Sequence, residues 1–280
     1  GLTDCPLALH LRSCPYCRAR VDAILRVESL LASDLSQKIV LGDLDRIIND
    51  INATGYGLTF GLQTRIDDRV QHISDRIEAG NIYVNRNQIG AIVGSQPFGG
   101  EGLSGTGPKA GGPNYLARFR KHPARADIVD WTGTDDKLRL MKALSGASSD
   151  NPVSITTLPG PTGESNVLTA LPRGPILCMG PGQDATLLQA DAVKALGGIA
   201  VTCKGSVPGD WLTELPLVGA LWWGDEETAR TMRAALAKRA GPILPLVTGM
   251  PDTGHVCRER HVCVDTTASG GNAQLLSGAS

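Results

Sequence analysis

Between positions 88 and 113 the chain reads QIGAIVGSQPFGGEGLSGTGPKAGGP, with glycine at about every third position. Glycine has no Cβ and tolerates positive φ, so such a run is unsuited to a helix or a central strand. It suits a loop whose backbone N–H groups approach a ligand closely, and amides presented that way hold anions. The residues alone leave two readings open. In one, the amides of Gly90 and Ala91 hold a carboxylate and Phe98 supplies an apolar wall; in the other, the segment is a solvated surface loop.

Two further clusters give weaker signals. Cys5, His10, Cys14 and Cys17 are soft ligands close in sequence, but their spacing matches no familiar zinc pattern and the single C-x-x-C has no counterpart downstream, so no metal site is expected. Gly180-Pro181-Gly182-Gln183-Asp184-Ala185 fits G-x-G-x-x-A at a strand-to-helix turn. A dinucleotide binder also carries an acid about 20 residues on, at the end of the next strand, to hold the ribose hydroxyls. That strand ends in Cys203-Lys204, so no cofactor site is expected here. Cys178 and Cys203 lie in apolar runs and read as small buried hydrophobes, and Cys257 and Cys263 flank RERH; none is read as a nucleophile.

The elements that position the loop follow from hydrophobic period. Leu44, Ile47, Ile48 and Ile51 share one face of a helix that stops at Gly55 and Gly57, and LTFGLQT reads as a strand. Val70, Ile73 and Ile77 mark a helix over 66–79, with Gly80 as its stop before the strand NIYVN. A Pro/Gly/Ser-rich stretch over 145–166 reads as a connector. Beyond it PILCMG, IAVTC, VGALWWG and ILPLV read as strands, with helices over 185–196 and 225–239 between them, the pattern of a small doubly wound parallel sheet. RHVCVDTT reads as a closing strand before a small polar tail. Trp222 and Trp223 are assigned to core.

The 280 residues hold 27 basic and 28 acidic side chains, a balance that creates no field favouring nucleic acid. No apolar run is long enough to span a bilayer, and the opening residues lack the apolar core of a signal peptide, so a cytoplasmic location is expected. Seven scattered cysteines point to reduced thiols.

INATGYGLTFGLQTRID, AGNIYVNRNQIGAIVGSQPFGGEGLSGTGPKAGGP, LPGPTGESN and ERHVCVDTTASGGNAQLL together resemble the proline utilization A family. Its members resemble a fusion of an FAD-dependent proline dehydrogenase with an NAD-dependent glutamate semialdehyde dehydrogenase of the aldehyde dehydrogenase superfamily. The resemblance implies an α/β fold: the end of an aldehyde dehydrogenase catalytic domain followed by a small doubly wound Rossmann-like domain. Divided on that basis, 1–40 is a divergent segment, 41–125 carries the substrate anchor loop, 126–151 is a linker, 152–256 is the Rossmann-like domain and 257–280 is a docking strand and tail. The resemblance also places the α-carboxylate of glutamate semialdehyde on the amides of Gly90 and Ala91, with Phe98 against its carbon chain. Gln96, Pro97, Gly99 and Gly100 shape the loop, and Arg86 reads as an ion-pair partner.

The family's cysteine nucleophile, NAD site and hydrolytic base come from chain upstream, and its FAD serves the proline dehydrogenase half, so this chain alone is expected to hold neither a catalytic residue nor a cofactor. The Glu-x-Phe-Gly-Pro type element expected shortly before position 42 is absent, because the phenylalanines are Phe60, Phe98 and Phe119. A truncation or reading-frame change upstream is the expectation there. The expected partners are the upstream domains of the same protein and further copies in a homo-oligomer. The reading from a different class is a non-catalytic piece that covers a tunnel or serves oligomerisation.

Overall fold

The computed structural model describes residues 41–88, 90–120, 123 and 129–266. The cysteine and histidine cluster at 5–17, and the tail beyond Thr266, lie outside these described residues. The chain divides between Asp50 and Ile51 into two units, and the glycine-rich loop belongs to the second.

Helix α1 (Leu41–Asn52) coincides with the amphipathic run that was read from Leu44, Ile47, Ile48 and Ile51. Beyond it, β1 (Tyr56–Gly57) pairs with β4 (Glu101–Gly102) in a small antiparallel ribbon at the base of the glycine-rich loop. Strand β2 (Thr59–Leu62), helix α2 (Asp67–Arg76) and strand β3 (Asn81–Val84) form a βαβ unit whose strands run parallel. All four β3 residues are buried, as a strand covered on both faces requires.

Next to β3 lies a strand from the far end of the chain. β11 (Cys257–Asp265) runs parallel to β3, pairing His261 with Asn81 and Cys263 with Tyr83. On its other side β11 is antiparallel to β6 (Glu164–Pro172), and β6 to β5 (Ser154–Leu158), which closes a five-stranded sheet in the order β2-β3-β11-β6-β5. The closing strand is thus central, with ladder hydrogen bonds along both edges. The boundary drawn at 152 does not follow this pairing, because the β5–β6 hairpin joins the sheet that carries the glycine-rich loop.

The doubly wound sheet follows. β7 (Pro175–Cys178), β8 (Ile199–Thr202), β9 (Gly219–Leu221) and β10 (Leu246–Val247) lie in the order β10-β9-β7-β8, all parallel. Alternate residues of β7 enter two different cores. Ile176 and Cys178 pack with Ala185, Ala190 and Val193 of helix α4 (Gly182–Ala195). Leu177 and Met179 pack on the opposite side with helix α3 (Lys137–Ser145) and helix α5 (Glu226–Leu236). Trp222 joins one core and Trp223 the other, in agreement with their assignment to core.

The reading of 126–151 as a linker misses α3. Its cap is Asp136, whose Oδ1 accepts from Leu138 N at 2.8 Å and Arg139 N at 3.2 Å, and it fully buries Leu140. Asp135 adds a tether, accepting from the Lys204 amide at 2.6 Å and from Arg139 Nη2 at 2.5 Å. These bonds hold the carboxylate of Asp135 below its ordinary range despite burial.

Candidate substrate-anchor site

The glycine-rich loop leaves β3 through Asn85, whose φ of +59° turns the chain sharply; its side-chain oxygen accepts from Thr64 N at 2.9 Å. Gly90 also has positive φ, at +76°, and a Cβ added there would meet nothing within 4 Å. Its glycine is required by backbone conformation rather than by crowding. Among the described residues, none accepts a hydrogen bond from the amides of Gly90 or Ala91. The loop closes on itself at the next position. Gln96 N donates to Ile92 O at 2.9 Å, and Ile92 N donates to Gln96 Oε1 at 3.0 Å. Gly90 and Ala91 immediately precede this closure and Phe98 follows it by two residues, so the residues singled out in sequence lie on its two legs.

These amides, without an acceptor among the described residues, contrast with a heavily bonded base. The buried face of β11 carries Cys257, Glu259, His261 and Cys263 at period two, and the last three face the loop and its strand. Gln96 Nε2 points to Cys263 Sγ at 3.5 Å and donates to Glu164 Oε1 at 2.9 Å. Glu259 accepts from the Lys109 amide at 2.8 Å and from Asn114 Nδ2 at 2.9 Å. His261 Nδ1 lies 3.4 Å from Asn81 Nδ2, a contact that suits the tautomer protonated at Nε2.

Phe98 is set by its neighbours. Asn81 donates to Pro97 O at 2.9 Å and accepts from Gly99 N at 3.1 Å, so one side-chain amide grips the backbone on both sides of Phe98. Phe98 and Ala110 also exchange both backbone hydrogen bonds, at 3.0 and 2.8 Å. Lys109 Nζ donates to Asn81 Oδ1 at 2.9 Å and to the Gly99 carbonyl. Gly80 is required here because a Cβ would lie 2.0 Å from the Gly99 oxygen.

Burial dominates the electrostatics. It lowers the Lys109 ammonium to about 8, against the opposing pull of Glu101 and Glu259. It lowers His261 to about 4, with the Lys109 charge adding to the shift. Burial raises the Cys263 thiol to about 11 although Arg86 bonds its sulfur, and raises Cys178 to about 12 and Cys203 further. Thiols in such surroundings carry little thiolate at neutral pH. Arg86 is an ion-pair partner, 2.5 Å from Glu164. Among the described residues no cluster of three His, Cys, Asp or Glu side chains is arranged to hold a metal.

The chain's own groups occupy part of the G-x-G-x-x-A turn. Phosphates at such a turn need its free N–H groups and the open space left by glycine. Here Gly180 N–H donates to Gln189 Oε1 at 3.0 Å, and Gln189 returns a bond to Gly180 O at 2.8 Å. A Cβ on Gly182 would sit 2.4 Å from the carbonyl oxygen of Val129. The space that glycine leaves is taken by the chain's own backbone.

Residues 38–122 match the aldehyde dehydrogenase family. Over 279 residues the chain is 37% identical to the bifunctional protein PutA of Rhizobium meliloti, a match that covers 84% of this chain and 23% of that protein. A 75-residue stretch is 48% identical to a 1-pyrroline-5-carboxylate dehydrogenase of Bacillus cereus, covering 27% of this chain and 15% of the relative. Among solved structures, proline utilization A from Corynebacterium freiburgense aligns over 79% of this chain and 24% of its own, at 24% identity and a TM-score of 0.49. The chain therefore spans about a quarter of the length of the PutA relative it matches.

Proposed function

We propose, from the match of residues 38–122 to the aldehyde dehydrogenase family, that the chain supplies the substrate-carboxylate anchor of an enzyme that oxidises L-glutamate γ-semialdehyde to glutamate with NAD⁺ in proline catabolism. The observation that carries the reading is the contrast within one loop. The amides of Gly90 and Ala91 lack a partner among the described residues, while the base of the loop is fixed by Asn81, Gln96, Lys109 and Glu259. Preorganised donors of that kind bind a carboxylate without reorganising, and Phe98 lines the carbon chain of the substrate. Hydride acceptor, nucleophile and hydrolytic base belong to the remainder of the parent protein, whose other half is a proline dehydrogenase with FAD. The upstream domains are partners in the same chain, further copies assemble with it in a homo-oligomer, and the enzyme works in the cytoplasm.

The test is an NMR titration of the 280-residue chain with L-glutamate, which carries the same α-carboxylate as the aldehyde. Saturable shifts at the amides of Gly90 and Ala91, with ring shifts at Phe98, are the expected result. Shifts absent at all three would leave the second reading, a non-catalytic piece that covers a tunnel or serves oligomerisation. The self-filled turn at Gly180 and Gly182 favours that role for the doubly wound unit.

A further inference from the structure

We propose that Lys109 is a positioning residue for Phe98 and the anchor loop, and that Glu259 of the closing strand holds it in place, so that carboxylate binding depends on a glutamate 150 residues further along the chain. The inference rests on the reading of the loop as a carboxylate anchor.

Lys109 is 2% exposed, yet its ammonium meets neutral oxygens, Asn81 Oδ1 and the Gly99 carbonyl. Taking an ammonium out of water is costly when no carboxylate bonds to it directly, and a methionine of similar length would fill the space without that cost. What the ammonium adds is a set of charge-assisted donors, each about twice as strong as a neutral one. They fall on the two groups that fix Phe98: the amide of Asn81, which grips Pro97 and Gly99, and the Gly99 carbonyl itself. The backbone of Lys109 contributes as well. Its N–H is taken by Glu259, and the next residue, Ala110, exchanges backbone hydrogen bonds with Phe98. Side chain and main chain of one residue thus close on the same turn from two sides.

The groups that act on the ammonium are Glu101 and Glu259, which favour its charge, and Arg173, which opposes it; His261 senses it from the neighbouring strand and is neutral above its own depressed pKa. With Lys109 titrating near 8, the lock weakens as pH rises through that value and the amine loses a donor and its charge.

Two measurements on the full chain decide the matter. Carbon-detected NMR from pH 7 to 9 should show Lys109 Cε and the Gly99 carbonyl carbon titrating together; a flat Gly99 carbonyl overturns the lock. This test needs no ligand, so it stands even if glutamate fails to bind and the anchor reading falls. Glutarate, whose carboxylates do not titrate in that range, is then the binding probe. Its Kd for the native chain should rise at least fivefold over the series, whereas Lys109→Met should bind about tenfold more weakly at pH 7 and show no pH trend. Glu259→Gln, which keeps an acceptor for the Lys109 amide, should weaken glutarate binding two- to fourfold. Should Lys109→Met fail to fold, the native pH series and Glu259→Gln decide. Native affinity constant with pH, or either folded variant binding as the native chain does, overturns the proposal.

Discussion

Arg86 Nη1 lies 2.5 Å from Glu164 Oε2, although 78 residues separate the two in sequence. Arg86 lies two residues past β3, the strand that launches the loop, and Glu164 begins β6, on the other side of β11. The second oxygen of Glu164 is also engaged, accepting from Gln96 Nε2 at 2.9 Å and Asn166 Nδ2 at 2.8 Å. A single carboxylate therefore ties the exit of β3, the middle of the loop and the start of β6.

Replacing Glu164 by Gln should leave Arg86 largely enclosed without its counter-charge. The expected loss is about 2–3 kcal/mol in urea unfolding, from the unpaired guanidinium and the disturbed bonds to Gln96 and Asn166. Combined with Arg86→Gln the total should be smaller than the sum of the two, because the second change removes the charge that the first leaves stranded. Strict additivity would mean that the pair contributes nothing as a pair.

Leu140 provides a check on the segment that sequence assigned to a linker. It is fully buried between α3 and the doubly wound sheet, so Leu140→Ala should cost about 2–5 kcal/mol through lost burial and a residual cavity. Asp136→Ala should cost about 1 kcal/mol through the lost cap. A Leu140→Ala midpoint equal to that of the native chain would return the segment to the role of a tether.

The legible parts of this fold are those in which composition and period agree. The strand, helix, strand run through Thr59–Leu62, Asp67–Arg76 and Asn81–Val84 has an amphipathic helix between two short apolar strands. The four parallel strands from Pro175 to Val247 have the continuous apolar character of strands buried on both faces. The hairpin of β5 and β6 was hidden because it lies among Pro, Gly, Ser and Thr, and β5 is exposed along most of its length. The face of β11 was hidden for a different reason. Its buried positions carry Glu259 and His261, which period-two reasoning assigns to solvent unless their partners are known. Gly90, Ala91 and Phe98 are proposed from glycine content and resemblance, whereas Lys109 looks in sequence like any loop lysine; its burial depends on Asn81 and Gly99, which no local pattern reveals.

Gly182 tests what the glycine-rich turn of the second sheet is for. Its φ is +74°, and a Cβ there would approach the Val129 carbonyl oxygen to 2.4 Å. Gly182→Ala should therefore destabilise the chain by about 1–3 kcal/mol in urea. Adding NAD⁺ should leave the unfolding midpoint of the native chain where it was, because a ligand that binds only the folded state would raise it. A midpoint that climbs with NAD⁺ concentration would reverse the reading of this turn as filled.

His261 should make the fold that carries the glycine-rich loop sensitive to acid. Burial, with the nearby Lys109 charge, lowers it from the ordinary 6.5 to about 4, so the folded chain keeps the ring neutral where the unfolded chain would protonate it. Its stabilising contribution is complete above pH 6.5 and is lost as pH falls through 4, because the unfolded state binds the proton first. At ~1.4 kcal/mol per unit the native chain should lose up to about 3 kcal/mol across that window. His261→Gln has no charge to acquire, so the stability difference between native and variant should shrink or reverse between pH 7 and 4, while the titration of carboxylates cancels in the comparison. Urea midpoints of the two proteins at pH 7, 5.5 and 4 supply the measurement. A difference independent of pH would mean that the ring is charged or solvated in the fold, and the contact with Asn81 would then be the first feature to re-examine.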